Sequence, residues 1–200
     1  MKSPLSADSF VLNAACEDLR NPLLDLIVNY AYRQGDFVLS SGASSSYYIN
    51  CKEVTLRAEG ALMIGRLILE NLPEDTDAIA GLTLGADPIV SAVSIVSAIY
   101  NRGIPGLIIR KQAKGHGTQA YIEGPKLDAG SKVVVLEDVV TTGKSALQAV
   151  ARLQDAGYQV KQIISLVDRN QGGQELYQAK GLDFQSLFTI EEIQKYETSS

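Results

Sequence analysis

The segment VVVLEDVVTTGKS, residues 133–145, contains the pattern that decides the fold of this chain. It begins with an uninterrupted apolar run, continues with two adjacent acids, Glu137 and Asp138, and ends in a turn rich in Thr, Gly and Ser. Such an apolar run is typical of a strand covered on both faces, as in the parallel sheets of α/β proteins. Those sheets bind ligands beyond the carboxyl ends of their strands. The segment therefore predicts a strand, a ligand-binding turn and the start of a helix.

The chemistry of the turn favours a sugar phosphate. A Thr/Gly/Ser turn at a helix N-terminus offers free N–H groups, hydroxyls and the positive end of the helix dipole, which suit a phosphate monoester. Glu137 and Asp138 can accept hydrogen bonds from neighbouring sugar hydroxyls. Residues 143–145, Gly-Lys-Ser, also end a Walker A motif, but that motif requires glycine at position 138, so an ordinary nucleotide-binding P-loop is excluded. The alternative is a strand–turn–helix whose polar residues only cap the helix.

Strand-like and helix-like segments alternate on both sides of this motif. We expect strands at residues 77–82, 106–109, 132–136, 162–167 and 184–188 and helices at residues 58–71, 88–101, 143–156 and 173–179. Asp87 is expected to cap its helix, with Pro88 at the first position. The alternation predicts an α/β fold with a central, mostly parallel sheet flanked by helices.

The N-terminal part of the chain does not follow this alternation. Residues 1–20 look like a loose leader and a short helix, and Pro22 is expected to open a helix that runs to about Arg33 and ends at Gly35. Strands are expected at 36–39 and 47–51, around the turn-rich SSGASSS. We therefore predict a single domain over 1–200. Residues up to about 55 would form a helix and hairpin hood over one sheet edge, and residues from about 56 would form the core.

Composition excludes several classes of function. The chain has 200 residues, with 18 Lys+Arg, 23 Asp+Glu and one His, and its formal net charge is −5, which argues against a general nucleic-acid binder. Two cysteines are too few for a disulfide framework or a tetrahedral zinc site. The longest mostly apolar stretch, residues 88–100, is too short for a membrane span, and the N-terminus lacks a secretory signal. A cytoplasmic protein without a larger fusion is expected.

A second candidate site is the segment of residues 110–123. This segment places three positive charges and the only histidine within seven residues: Arg110, Lys111, Lys114 and His116. A glycine lies on each side of the histidine. This charge density suits a polyanion such as pyrophosphate, and the glycines suit a loop that closes on substrate. His116 can donate to a leaving pyrophosphate or shuttle a proton. The segment is expected to be a mobile loop or a β-hairpin with an exposed tip, and the alternative is a solvated charged loop.

The motif at residues 133–145 resembles the phosphoribosyl pyrophosphate motif of type I phosphoribosyltransferases, an apolar strand followed by two acids and T-T-G-[KT]-[ST]. The resemblance implies the type I phosphoribosyltransferase fold. It also implies that Glu137 and Asp138 contact the ribose hydroxyls. The residues that would hold the 5′-phosphate, mainly through backbone N–H groups and hydroxyls, are Val140, Thr141, Thr142, Gly143, Lys144 and Ser145. Val139 is a further candidate for substrate binding.

The pattern R-K-x-x-K-x-H-G from Arg110 resembles the flexible catalytic loop of the orotate phosphoribosyltransferase family. The resemblance implies a homodimer in which the loop, residues 110–123, reaches into the partner subunit's site. Arg110, Lys111, Lys114 and His116 would then contact pyrophosphate. Lys114, His116 and Asp138 are the catalytic candidates, and Lys114 is the first of them.

Three weaker matches follow the same family pattern. Residues 37–42, FVLSSG, with Tyr47 and Tyr48 resemble its orotate pocket, and residues 81–88, GLTLGADP, resemble its pyrophosphate loop. Arg169 matches the arginine that binds the orotate carboxylate, a role that suits a bidentate guanidinium. Without the resemblance, these segments would be a plain hairpin, a strand-to-helix turn and a surface charge.

The chain departs from the family at two positions. Many members have lysine at the position of Ser40 and some have one near Gly85. Lys52, a metal or the basic loop could supply the missing charge.

The resemblance implies transfer of the 5-phosphoribosyl group from phosphoribosyl pyrophosphate to orotate, which gives orotidine 5′-phosphate and pyrophosphate in pyrimidine biosynthesis. Mg²⁺ would be held mainly by the substrate, without a protein metal site. Neither nucleic acid nor membrane is an expected partner. Two alternatives remain: a phosphoribosyltransferase for another base, and a non-catalytic regulator that binds phosphoribosyl pyrophosphate.

Overall fold

The structure is a computed structural model that describes residues 10–38, 44–113 and 121–198. Its main sheet has the strand order β5-β4-β3-β6-β7-β8, and a separate antiparallel pair is formed by β1 and β2. The strands are β1 (Tyr32–Val38), β2 (Ser44–Ile49), β3 (Ala78–Leu82), β4 (Gly106–Ile109), β5 (Ile122–Glu123), β6 (Lys132–Val140), β7 (Gln159–Asp168) and β8 (Asp183–Thr189). In the main sheet β4 and β5 pair antiparallel, and the other neighbouring pairs are parallel. The prediction of a mostly parallel sheet is confirmed.

Helices cover both faces of this sheet. They are α1 (Phe10–Asn13), α2 (Cys16–Leu26) with a π-helical turn (Ile27–Ala31), α3 (Lys52–Thr55), α4 (Ala58–Asn71), α5 (Asp87–Ile99), α6 (Lys144–Asp155), α7 (Gly173–Gln178) and α8 (Ile190–Glu197). Strand β6 shows why the apolar run is uninterrupted. Val134 and Leu136 belong to the core that contains α4 and α5, whereas Val133 and Val135 belong to the core that contains α6. Each side chain of the run is therefore buried on one of two faces.

The connection order places a crevice between β3 and β6. The chain leaves β3, passes through α5 and pairs β4 on one side of β3, and it later returns to pair β6 on the other side. Open α/β sheets bind their ligands at such a switch point, beyond the carboxyl ends of the strands. The turns that follow β3 and β6 therefore meet at the candidate site.

The N-terminal helix differs from its predicted bounds. Helix α2 begins at Cys16, contains Pro22 in its interior, and is continued by the π-helical turn to Ala31. Glu17 and Asp18 occupy its first turn, where the positive end of the helix dipole interacts favourably with carboxylates. The prediction that Pro22 opens the helix and that Gly35 ends it was wrong. Gly35 lies inside β1, and the predicted hairpin is present as β1 and β2.

The start of α5 and the end of β6 also differ from their predicted positions. Asp87 is the first residue of α5 rather than its cap, and its carboxylate accepts a hydrogen bond from Thr83 Oγ1 at 2.7 Å. Strand β6 continues through the two acids to Val140. The residues that follow β8, for which no element was predicted, contain helix α8, whose start is fixed by a capping box between Thr189 and Glu192.

Within the described residues, no helix combines the length and the hydropathy that a bilayer crossing requires.

Candidate active site

The turn after β6 is built around Gly143. Its φ of +77° is left-handed, and a Cβ at this position would lie 2.8 Å from a ring carbon of Tyr177, so this position requires glycine. Helix α6 begins at the next residue, and no side chain of the described residues caps it. Its first N–H groups are therefore free for an anion. Thr141 is half-buried, and three further polar side chains of the turn are exposed, those of Thr142, Lys144 and Ser145.

The two acids before the turn have different surroundings. Glu137 is 6% exposed and faces the α6 side of the sheet, and its Oε2 has no hydrogen-bond partner among the described residues. Burial, and then the neighbouring Asp138 carboxyl, raise the pKa of Glu137 to about 8. Asp138 is half-buried and points to the opposite face, where its Oδ1 accepts a hydrogen bond from the Val139 N–H at 2.9 Å.

The turn after β3 contacts Asp138 directly. A Cβ built on Gly85 would lie 2.5 Å from Asp138 Oδ1. A side chain at position 85 would therefore displace the carboxylate, which is a structural reason for glycine there. The structure brings the predicted pyrophosphate turn and the predicted ribose acid together at the crevice.

Arg169 connects the sheet with the hairpin of β1 and β2. It is 9% exposed, its Nε donates to Tyr47 Oη at 2.8 Å, and its guanidinium carbon lies 4.7 Å from the centroid of that ring. Its backbone N–H donates to the carbonyl of Val140 at 2.9 Å, which joins the ends of β6 and β7. The guanidinium is therefore fixed in orientation at the same edge as the turn.

Tyr47 and Tyr48 lie on opposite faces of β2. Tyr47 is buried against Arg169, whereas Tyr48 is 44% exposed and pairs with the ring of Phe37 at a centroid distance of 5.6 Å. Adjacent residues of a strand point in opposite directions, so the two tyrosines have different surroundings. The structure brings only Tyr47 to Arg169.

The basic segment has the stems of a hairpin. The Arg110 N–H donates to the Tyr121 carbonyl at 2.8 Å, and the Arg110 guanidinium forms an ion pair with Glu123 at 2.9 Å. Arg152 of α6 donates to the carbonyls of Arg110 and Lys111, and its guanidinium carbon lies 4.1 Å from the centroid of the Tyr121 ring. The stems are thus attached to the helix that begins at the turn.

Several predicted positions lie outside the described residues. These are Lys114 and His116 of the basic loop and Ser40 to Gly42 of the hairpin turn.

The residues at the crevice fit a cation that the substrate holds. Among the described residues, no group of three or more His, Cys, Asp or Glu side chains could hold a metal ion. Glu137 and Asp138 offer two carboxylates at the strand end, and Glu137 Oε2 is unpartnered. Mg²⁺ is commonly bound by one or two carboxylates together with substrate phosphates, so this donor set suits it.

One residue that packs against the turn was not predicted from the sequence. Tyr177 of α7 is fully buried, and it lines a cavity of about 80 Å³ together with Glu137 and residues 139–146. It lies more than thirty residues after the turn in the printed sequence. No spacing or motif indicates it, because tertiary packing alone brings α7 to the turn.

Known proteins resemble this chain in sequence and in structure. A model of the phosphoribosyl transferase domain matches residues 58–194. Orotate phosphoribosyltransferase of Nostoc sp. is 63% identical over 194 residues, which cover 97% of this chain and 94% of that protein. The protein of the same name from Synechocystis sp. is 66% identical over 182 residues, 91% of this chain and 92% of its own length. A crystal structure of Mycobacterium tuberculosis orotate phosphoribosyltransferase with 5-phospho-α-D-ribosyl 1-diphosphate superposes with a TM-score of 0.74 at 34% identity, and the match covers 88% of this chain and 98% of that one.

Proposed function

This chain belongs to the orotate phosphoribosyltransferase family of phosphoribosyltransferases, and from that premise we propose how its residues carry out the reaction. It transfers the 5-phosphoribosyl group from phosphoribosyl pyrophosphate to orotate, and the products are orotidine 5′-phosphate and pyrophosphate. The observation that carries the assignment of roles is the meeting of three groups at one sheet edge: the free N-terminus of α6, the Glu137 and Asp138 carboxyls, and the guanidinium of Arg169.

The turn at residues 140–145 binds the 5′-phosphate in this proposal. The free N–H groups at the start of α6, and the hydroxyls of Thr141, Thr142 and Ser145, supply donors around a phosphate monoester. The Asp138 and Glu137 carboxyls accept hydrogen bonds from the ribose hydroxyls. The two carboxyls lie on opposite faces of β6, so the ribose in this proposal lies at the end of the strand, where a different hydroxyl reaches each of them.

Arg169 binds the orotate carboxylate. Tyr47 holds the Nε of its guanidinium from the side of the hairpin, so the fork is oriented before the substrate arrives. The residues up to about 55 would then act as a hood over the base, with Tyr47 as their contact to the sheet. A base without a carboxylate leaves this buried positive charge unpaired, which disfavours its binding.

Charge develops in two places as the glycosidic bond to pyrophosphate breaks. The anomeric carbon becomes oxocarbenium-like, and the nearby carboxylate of Asp138 stabilises its positive charge. The leaving pyrophosphate gains negative charge, which Arg110, Lys111, Lys114 and His116 of the basic loop neutralise. Mg²⁺, when bound, supplies charge neutralisation at the pyrophosphate oxygens. Closure of the loop excludes water and so limits hydrolysis of the donor.

A homodimer is supported by exposed apolar side chains in the turn after β3 and on α5. Leu84, in the turn after β3, is 65% exposed, and Ile95 and Ile99, one turn apart on α5, are 64% and 52% exposed. Such residues are typical of a surface that another subunit covers. In a homodimer the basic loop of one subunit would complete the site of its partner. We assign the protein to the cytoplasm.

Mixed subunits test the dimer. Lys114→Ala and Asp138→Asn subunits should each be nearly inactive, and a mixture should recover roughly a quarter of wild-type activity, because half of the random dimers contain one intact composite site. No recovery after verified subunit exchange would contradict action across the interface.

The reaction itself is tested by the loss of orotate ultraviolet absorbance in the presence of phosphoribosyl pyrophosphate and Mg²⁺. The same assay is repeated with uracil, hypoxanthine and adenine. Turnover of orotate alone is the expected result. Turnover only with another base would contradict the substrate, and binding without turnover of any base would identify a regulator.

A further inference from the structure

Helix α7 lies directly beneath the phosphate turn. A Cβ on Gly173, its first residue, would lie 2.3 Å from Cγ1 of Val140. One turn later, the ring of Tyr177 occupies the space beside Gly143. The hydroxyl end of the ring faces the turn, because a Cβ on Gly143 would lie 2.8 Å from Cε1 and 3.1 Å from Oη. Tyr177 thus contacts the segment that we propose as the phosphate site.

The hydroxyl of Tyr177 is buried without a partner. The residue is 0% exposed, and no group of the described residues forms a hydrogen bond with Oη. The rest of the ring packs in an apolar core, with the Phe184 ring at a centroid distance of 5.0 Å. Phenylalanine would fill this core without burying an unpaired hydroxyl, which costs stability. An unsatisfied buried group of this kind needs an explanation beyond packing.

Glu137 offers the complementary group. It lies on the same face of β6 as Val133 and Val135, whose core contains Tyr177. Its Oε2 is buried and unpartnered, like Tyr177 Oη, and both residues line the same cavity of about 80 Å³. Burial, followed by the charges of Glu137 and Asp168, raises the pKa of Tyr177, so its hydroxyl keeps its proton and remains a donor.

We propose that Tyr177 is a positioning residue, whose hydroxyl donates a hydrogen bond to one oxygen of the Glu137 carboxyl group when the sugar phosphate is bound. The other oxygen of this carboxyl group is then directed to the ribose hydroxyls. In the ligand-free protein the two groups remain unpaired, so stability is sacrificed for ligand binding. This inference rests on the proposed function, because it assumes that the turn and Glu137 bind a ribose 5-phosphate group.

Calorimetric titration with ribose 5-phosphate tests the pair. Tyr177→Phe should weaken the binding of ribose 5-phosphate about five- to tenfold. The binding of pyrophosphate, which lacks the ribose, should change less than twofold. In a Glu137→Ala background the Tyr177→Phe substitution should change ribose 5-phosphate binding less than twofold, because the acceptor is absent. The ligand-free Tyr177→Phe protein should melt at the wild-type temperature or above it.

The control is Tyr158→Phe, which removes the hydroxyl of another buried tyrosine in the same core, next to the amino end of β7. It should bind ribose 5-phosphate as the wild type does. Three results would overturn the role of Tyr177: unchanged affinity in Tyr177→Phe, an equal loss in the Glu137→Ala background, or a lower melting temperature with equal loss of pyrophosphate binding. Failure of the wild type to bind ribose 5-phosphate would instead overturn the proposed phosphate site, and the role of Tyr177 with it.

Discussion

The ends of β6 and β7 are neighbours in the sheet, but they are constructed differently. At the end of β6, the acids and the turn are continuous in sequence, and Glu137 Oε2 and the first N–H groups of α6 lack side-chain partners among the described residues. At the end of β7, Arg169 is already bound by Tyr47, 122 residues earlier in the chain. One end therefore keeps its groups free for a ligand, whereas the other fixes its charged group in advance.

This difference indicates that the two strand ends bind different parts of the substrates. The free groups of β6 suit the sugar phosphate, which brings many acceptors and hydroxyls of its own. The fixed guanidinium of β7 suits a planar base with a carboxylate, because its orientation is set before binding. Substitutions at β6 should therefore affect the phosphoribosyl donor and turnover, and substitutions at β7 should affect orotate alone.

The largest effect is expected from Asp138→Asn. Loss of the carboxylate charge beside the anomeric carbon should lower kcat roughly 100- to 1,000-fold. The measurement is orotate absorbance at saturating substrates. Asp155→Asn, an exposed acid at the end of α6, is the control and should keep wild-type turnover. A kcat within threefold of wild type would remove Asp138 from the reaction.

Arg169→Lys should affect the other strand end. An ammonium cannot form the bidentate contact with a carboxylate, so KM for orotate should rise roughly 30- to 100-fold. KM for phosphoribosyl pyrophosphate should stay within about twofold. Equal increases in both values would show that the two strand ends are not independent.

Tyr47→Phe tests whether the Tyr47 hydroxyl orients Arg169 at the end of β7. It removes the hydroxyl that receives the Arg169 Nε–H at 2.8 Å, so KM for orotate should rise about three- to tenfold. Tyr48→Phe is the matched control, because this side chain lies on the opposite face of β2 and should leave KM unchanged. Equal effects of the two substitutions would contradict the separation of the tyrosines.

The smallest effect concerns stability and pH. The pKa of Glu137, about 8 in the folded protein, lies above its ordinary value of 4.5. Between these values the folded protein binds more protons than the unfolded chain, so the free energy of unfolding falls as pH rises through this range. Glu137→Gln should remove this loss and raise the melting temperature at pH 8.5 by roughly 3–6 °C, with little difference near pH 4.5. An identical pH dependence in the variant would contradict the burial of an ionisable Glu137.

Local sequence patterns predicted the order of strand, turn and helix at the β6 end, although β6 continues to Val140 rather than ending at Leu136. The strand, the turn and the helix are one continuous segment, and their roles depend on neighbouring residues. Helix α4 was also predicted with its observed bounds, since its apolar residues recur at helical spacing. The boundaries of α2 were not, because Pro22 is tolerated in the interior of a helix that core packing holds. Helix α8 was missed, although the T-x-x-E pattern of Thr189 and Glu192 was readable.

The remaining contacts could not be derived from spacing. Arg169 was identified by family resemblance, and its contact with Tyr47 joins residues that only the folded chain brings together. The same holds for Gly85 against Asp138 and for Tyr177 beneath Gly143. These pairs depend on how the turns after β3 and β6 and helix α7 pack, and a single sequence does not contain that information.

The most direct test of this division is a crystal structure of the protein with orotidine 5′-phosphate, which spans both strand ends. The account predicts its phosphate within hydrogen-bond distance of the N–H groups at residues 141–145, and its carboxylate on the guanidinium of Arg169. A nucleotide bound with its phosphate away from this turn, or with its carboxylate away from Arg169, would contradict the account.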